Sequence, residues 1–308
     1  MKSPSRCGEL GAAAQVESPL PPSQLQAYGL DLDYAIPAAA LAPGVRAVEL
    51  RPDAATAAYL ESAAANRAGR LRTLAQRALR DFVSGYDANA WLGMYPMFLL
   101  STQQLSQLLG LRAEQRIARC LDVGAGSGDV TRALKPLCGE LLTTERSSGM
   151  AKKLRKLGYQ CLQVDLAETL GALAPQTFDL ITCFNVLDRC PRPRSLLAAI
   201  VNLLAPNGRC LLSVPLPFDP MFYQGPRTPD PLEALGLTGV GWGVDAYDLT
   251  AHALPGLGLT PLTLSRVPYL SGGDSRRPLY ALDAALVVAR ATAQPTPHVP
   301  MDPTDRPA

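Results

Sequence analysis

Histidine is almost missing from this 308-residue sequence, which holds only His252 and His298. A histidine-rich metal site is thereby excluded, and a histidine general base has little to draw on. Charge is also scarce, at 18% of residues with a net charge of +2, so there is no basic footprint for a nucleic acid. The seven cysteines include no C-x-x-C pair and are odd in number, which speaks against a complete disulfide framework. Cys120, Cys161, Cys183 and Cys210 fall within apolar runs that read as strands, where free cysteine acts as a small hydrophobe. No metal is expected. No apolar run is long enough to cross a bilayer. The segment from Met1 to Pro22 carries Lys2 and Arg6 but lacks the apolar stretch of a secretory signal, and Glu9 and Glu17 weigh against an organelle transit peptide. As written, the sequence reads as a soluble, cytoplasmic monomer without a membrane span or a nucleic-acid partner.

Apolar residues make up 47% of the chain, enough for one large domain with extensions. Many of the 28 prolines sit in the two termini. Residues 1–52 read as a disordered Pro/Ala-rich extension, and the segment from 292 onward as a disordered tail. Residues 53–112 read as a helical preface, with one helix over Ala54 to Val83 and a short second one over Thr102 to Leu109. Residues 113–291 then alternate strands and helices, the sign of a parallel sheet. Strands are expected over Ile117 to Val123, Leu141 to Thr144, Tyr159 to Val164, Phe178 to Phe184 and Arg209 to Val214, with a helix over Ser195 to Leu204 stopped by Pro206-Asn207-Gly208. A Pro-rich irregular insertion follows up to about Trp242, then a helix over Ala246 to Leu254. Two final strands, Thr263 to Pro268 and Tyr280 to Ala289, close the sheet as an antiparallel pair.

The most telling stretch is Cys120-Leu-Asp-Val-Gly-Ala-Gly-Ser-Gly128, followed by Asp129, where a helix is expected to begin. Glycine at 124, 126 and 128 permits positive φ and close approach of backbone to a ligand. The loop lies at the carboxyl end of the first strand, where doubly wound sheets bind nucleotides. The spacing is G-x-G-x-G and not the G-x-G-x-x-G of pyrophosphate binders. Asp122, two residues before the first glycine, would repel a phosphate and suit an ammonium. S-adenosyl-L-methionine has an amino-acid end, a sulfonium and no phosphate, and it fits. The plain alternative is a tight strand-to-helix turn.

The other strand ends carry acids as well. Glu145 ends the second strand, where a carboxylate can accept two ribose hydroxyls. Asp165 ends the third, within reach of an adenine amino group, or else as an ordinary exposed acid. The fourth delivers Asn185-Val-Leu-Asp188-Arg189-Cys190, in which Asp188 can accept an N–H and stabilise developing positive charge. The alternatives for Asp188 are a surface pair with Arg189 or a helix cap. Further on, Tyr269, Asp274 and Tyr280 sit between the last two strands beside Pro268, Gly272 and Gly273, which suits a substrate mouth or, equally, packed tyrosines.

Several segments resemble the DREV family, also called methyltransferase-like protein 9. They are Met97-Phe98 with Ser101 and Gln104 to Leu109, Leu121 to Thr131, Thr144 to Ser147, Asn185 to Cys190, and Leu216 to Pro220. Arg266 to Leu270, Gly273-Asp274, and Tyr280 with Leu282-Asp283-Ala285 complete the set. The resemblance implies a class I S-adenosylmethionine-dependent methyltransferase with a Rossmann-like, seven-stranded, mostly parallel sheet. It also implies methylation of the N-pros (π) nitrogen of histidine in protein or peptide substrates with His-x-His repeats. By the same resemblance Asp122, Gly124, Ala125, Gly126, Gly128, Glu145, Arg146, Asp165 and Asn185 hold the cofactor. Asp188, Arg189, Tyr269, Asp274 and Tyr280 meet the substrate, with Asp188, Asn185 and Tyr269 at the reacting ring. The chain departs from the family pattern at Ser127, where an acid is usual, at Asp165, where asparagine is usual, and in the composition of the insertion from Gly225 to Gly241. Animal members begin with a secretory-type leader that this chain lacks, so compartment does not carry over. A small-molecule methyltransferase of the same fold and a non-catalytic cofactor-binding scaffold are the competing readings.

Overall fold

The structure, a computed structural model, describes residues 33–65, 74, 92, 95–169, 171–222, 229–273 and 279–292. Nine strands form one sheet: β1 (Arg46–Ala47), β2 (Met97–Phe98), β3 (Ile117–Val123), β4 (Cys138–Glu145), β5 (Gln160–Gln163), β6 (Phe178–Phe184), β7 (Leu204–Pro215), β8 (Leu259–Gly272) and β9 (Leu279–Ala291). The helices are α1 (Ala54–Ala65), α2 (Thr102–Leu109), α3 (Thr131–Leu134), α4 (Ser148–Lys156), α5 (Pro193–Leu203) and α6 (Trp242–Asp248). The strand order is β1-β8-β9-β7-β6-β3-β4-β5, with β2 on β8. β3, β4, β5, β6 and β7 run parallel, and β9 is antiparallel to both β7 and β8. This is the α/β class I methyltransferase sheet expected above, with seven principal strands and two short ones added at the β8 edge.

Alternation along the strands builds two cores, one on each face. Leu121, Val123, Ile181, Cys183, Leu212 and Val214 pack on one side with α5 and α6. Cys120, Leu180, Phe184, Leu211 and Leu286 pack on the other with α2. Toward the carboxyl ends of β3, β6 and β7, the second face turns polar through buried Asp122, Thr182 and Ser213. A core face that ends in hydroxyls and a carboxylate prepares a site without breaking the packing below it. The cysteines expected in the core are there: Cys120, Cys161, Cys183 and Cys210 are all buried and unpaired.

The helix ends follow their sequence signals. Ser101 and Gln104 close a reciprocal capping box at the start of α2, and Gly110 ends it in the left-handed region. Pro193 opens α5, where a missing N–H costs nothing.

Three expectations need correction. The extension expected to be disordered holds structure: a single 3-10 turn at Ala38–Ala40 and strand β1 lie within it, and Ala40 and Leu50 are buried. Prolines there are compatible with order because Val48 N–H bonds the Leu264 carbonyl and Arg266 reaches Asp33 and the Ala35 carbonyl. Second, no helix starts at Asp129. The helical turn begins at Thr131, and the Asp129 side chain is engaged elsewhere, as described below. Third, the preface is not purely helical, since β2 interrupts it. The long helix expected up to Val83 is seen over α1, and most of the remainder lies outside the described residues. Among the described residues no helix is long and apolar enough to cross a membrane.

Candidate active site

The site forms where the parallel strands end. Gly124, Gly126 and Gly128 all have positive φ (67°, 56° and 83°), as the spacing required. A Cβ on Gly124 would come 2.7 Å from Val186 Cγ2, whereas one on Gly126 would meet nothing nearer than 4.0 Å. Gly126 thus leaves an open cradle at the loop apex. The loop is tied to β4 by the Ala125 N–H on the Thr144 carbonyl and by the Gly126 N–H on Glu145 Oε2 (2.8 Å). The other Glu145 oxygen accepts the Ser147 N–H (2.8 Å).

Asp165 and Arg146 stand at the ends of β5 and β4 and pair at 3.7 Å. The Asp165 side chain is mostly buried and also accepts the Ala167 N–H, so it is not the exposed surface acid of the plain reading.

Asp122 differs from expectation. It is 2% exposed, with Oδ2 accepting from the Thr131 hydroxyl and Oδ1 from the Thr182 hydroxyl, both at 2.7 Å. The carboxylate braces α3 to β6. Burial pushes its pKa up to about 6 against the pull of the two hydroxyls. An ionised Asp122 still places negative charge beneath the loop, which favours a cation above it.

At the end of β6 the chain turns through Asn185, whose φ of 52° is rare for a residue with a side chain. Its N–H bonds the Ser213 carbonyl and its Oδ1 accepts the Ser213 hydroxyl. Its Nδ2 is buried without a hydrogen-bond partner among the described residues. Three residues on, Asp188 is 2% exposed. Oδ2 accepts Arg189 Nε (2.8 Å), but Oδ1 is buried with no partner among the described residues. Burial raises the Asp188 pKa to about 6, with Arg189 holding it lower than burial alone would. An unpaired donor and an unpaired acceptor thus lie within one turn, where natural cores leave few such groups.

The β8–β9 hairpin overhangs this turn. Its pairs from Pro268–Asp283 to Gly272–Leu279 lie beyond Ala284, the last β9 residue paired to β7. Tyr269 and Tyr280 belong to that overhang and, by alternation, to one face. Tyr269 is buried, and desolvation holds its proton on well above the usual phenol range, so it is a neutral hydroxyl at neutral pH. Tyr280 meets Tyr95 edge-on at 6.4 Å. Asp274 lies outside the described residues. Arg266, by contrast, is remote in function: it bonds Asp283 and Asp33 and stacks over Trp242, tying the N-terminal segment to the hairpin.

Several site residues had no sequence-level assignment. Asp129 Oδ2 accepts the Ser127 hydroxyl (2.6 Å) and the Met97 N–H (3.2 Å), joining the glycine loop to β2. Tyr59 in α1 bonds the Pro96 carbonyl and stacks on Phe98. Asp245, buried in α6, accepts from Phe218 N, Thr238 N, Thr238 Oγ1 and Gly239 N, pinning both described arms of the insertion. These contacts join residues far apart in the chain, and only the neighbouring Met97-Phe98 pair carried any signal.

The open cradle at Gly126, the acid at the end of β4 and the unpaired Asn185 amide fit S-adenosyl-L-methionine, which is the cofactor of this site. Among curated proteins, the chain is 30% identical over 123 residues to a ubiquinone biosynthesis O-methyltransferase of Xanthomonas euvesicatoria pv. vesicatoria, covering 38% of this chain and 51% of that one. It is 29% identical over 111 residues to the protein of that name from Neisseria meningitidis serogroup C, covering 33% and 45%. The chain thus spans about half the length of these relatives. Among solved structures, the DhpI–S-adenosylhomocysteine complex matches with a TM-score of 0.44 at 18% identity, covering 73% of this chain and 98% of that one. The magnesium protoporphyrin IX methyltransferase of Synechocystis with bound S-adenosylmethionine matches with a TM-score of 0.41 at 14% identity, covering 62% and 78%. A family model described as DREV methyltransferase matches residues 38–291, and the chain belongs to that family.

Proposed function

We propose that this methyltransferase acts on the N-pros nitrogen of histidine in proteins or peptides with His-x-His repeats. The observation that carries the reading is Asp188 Oδ1, a buried carboxylate oxygen left unpaired beneath an aromatic hairpin. S-adenosyl-L-methionine, when bound, supplies a methyl group on a sulfonium. Gly124, Gly126, Glu145 and Asn185 would hold it, with Ala125, Gly128, Arg146 and Asp165 at the rim. Asp188 Oδ1 would accept the N-tele N–H of a neutral imidazole, which leaves the N-pros lone pair as the nucleophile. As the ring gains positive charge, the Asp188 carboxylate balances it, and Arg189 keeps that carboxylate ionised. No strong base is needed, because imidazole is mostly neutral at pH 7. Orientation then supplies much of the rate. Tyr269 and Tyr280 line the groove for the second histidine.

One observation favours a second reading, a small-molecule O-methyltransferase: the curated relatives bear that name. A phenol, however, must lose a proton near pH 10. A carboxylate such as Asp188 is a far weaker base than the phenolate it would have to generate. Incubation with labelled cofactor and a His-Ala-His peptide, beside Ala-Ala-His, His-Ala-Ala and a catechol, separates the readings. Label in His-Ala-His above both controls is expected. Label in the catechol alone would replace the proposal with the second reading.

A further inference from the structure

We infer that Met97 is a positioning residue that couples the donor end of the site to its acceptor end, an inference that rests on the proposed function and adds a residue to it. Met97 lies in β2, outside the methyltransferase sheet proper, yet three of its groups reach the site. Its N–H donates to Asp129 Oδ2 at 3.2 Å, and Asp129 in turn accepts the hydroxyl of Ser127 from the glycine loop. Its Cε lies 4.0 Å from where a Cβ on Gly126 would stand, so its methyl end borders the open cradle. Its sulfur accepts the Tyr269 hydroxyl at 2.8 Å.

The backbone that presents Met97 is fixed. The Pro96 carbonyl accepts both the Tyr59 hydroxyl (2.6 Å) and the Gly272 N–H (2.7 Å). Gly272 has no space for a side chain, since a Cβ there would meet Pro96 Cδ at 2.7 Å. Tyr95, just before, adopts a φ of 54° and meets Tyr280. The segment is therefore clamped to the hairpin on one side and to the glycine loop on the other.

The chemical consequence concerns Tyr269. Its single hydroxyl proton is committed to the Met97 sulfur, so its oxygen is left as an acceptor. An acceptor at that point selects an N–H of the incoming peptide, such as the ring of the second histidine. Without the sulfur, the hydroxyl could turn and donate, and the preference for N–H would be lost.

Two measurements test this on the full-length protein. In the first, Met97→Leu keeps the volume and removes the acceptor, while Met97→Gln restores an acceptor at similar reach. With a His-Ala-His peptide, Met97→Leu should lower kcat/KM about three- to tenfold, the worth of one neutral hydrogen bond. Met97→Gln should recover most of the loss, and adding Met97→Leu to Tyr269→Phe should cost nothing further. Equal kcat/KM in Met97→Leu and wild type would overturn the proposal. The second uses no substrate. Peroxide oxidation of Met97, followed by mass spectrometry, should slow when S-adenosylhomocysteine fills the cradle beside its methyl group; an unchanged rate would equally overturn it. If wild-type protein leaves the peptide unmodified, the substrate reading fails, and the oxidation result still decides the placement of Met97 against the donor.

Discussion

Asp122 and Asp188 are a matched pair in burial and in pKa. One lies in the last residues of a central strand and the other in the turn after one; each is 2% exposed, and burial raises each pKa to about 6. At Asp122 both oxygens are occupied by threonine hydroxyls, one from α3 and one from the neighbouring strand. At Asp188 one oxygen is held by Arg189 and the other has no partner among the described residues. Burial and a raised pKa are therefore common to a brace and to the group proposed to meet the substrate. What separates them is whether each carboxylate oxygen has a hydrogen-bond partner among the described residues.

That contrast can be tested by breaking each end in turn. The largest effect is expected at the unpaired end: Asp188→Asn should lower kcat about 10²- to 10⁴-fold while leaving the affinity for S-adenosylhomocysteine unchanged. Steady-state kinetics and calorimetry read the two separately, and retained turnover would remove Asp188 from the chemistry. At the satisfied end, Thr182→Val strands one Asp122 oxygen in the core. A stability loss of about 1–3 kcal/mol in denaturant unfolding is expected, with the peptide KM little changed.

The two acids should also be visible in the pH dependence. Both folded-state pKa values are raised from 3.8 to about 6, so the folded protein binds more protons than the unfolded chain between those limits. Their contribution to stability is full below about pH 4 and is lost as pH rises through about 6. Asp188→Asn should flatten that fall by one group's share, as thermal melts across pH 4 to 7 would reveal. Activity runs the opposite way, because Asp188 must be ionised to accept an N–H and the substrate imidazole must be neutral to attack: kcat/KM should rise through about pH 6 to 6.5. The smallest effect is expected in the glycine loop. At Gly126→Ala only the positive φ resists the change, so a loss of about 1 kcal/mol in stability should accompany weaker donor binding. Gly124→Ala must in addition displace Val186, and a milder effect there than at Gly126 would contradict the described loop.

The central strands β3, β6 and β7 were readable because each holds an apolar run bounded by glycine, proline or a polar residue, and a buried parallel strand needs little else. The residues at their ends were readable for the same reason: once a strand stops, the next polar residue stands at the ligand face. The direction of a side chain at such a position was not readable. Nothing near Asp122 in sequence announces that Thr131 and Thr182 will take both its oxygens. The contacts of Met97 were equally opaque, although the Met97-Phe98 pair itself matches the family pattern, since a two-residue strand has no period to detect. The order of residues 33–50 depends on partners such as Leu264 and Arg266, which lie more than 200 positions away.

The central claim is that Asp188 selects which ring nitrogen is methylated while the donor lies over the glycine loop. It is tested most directly by the site of the methyl group on a His-Ala-His peptide after a single turnover, read by two-dimensional NMR against N-pros- and N-tele-methylhistidine standards. The account predicts methyl on N-pros alone. Methyl on N-tele, or an unmodified peptide with intact donor binding, would contradict it.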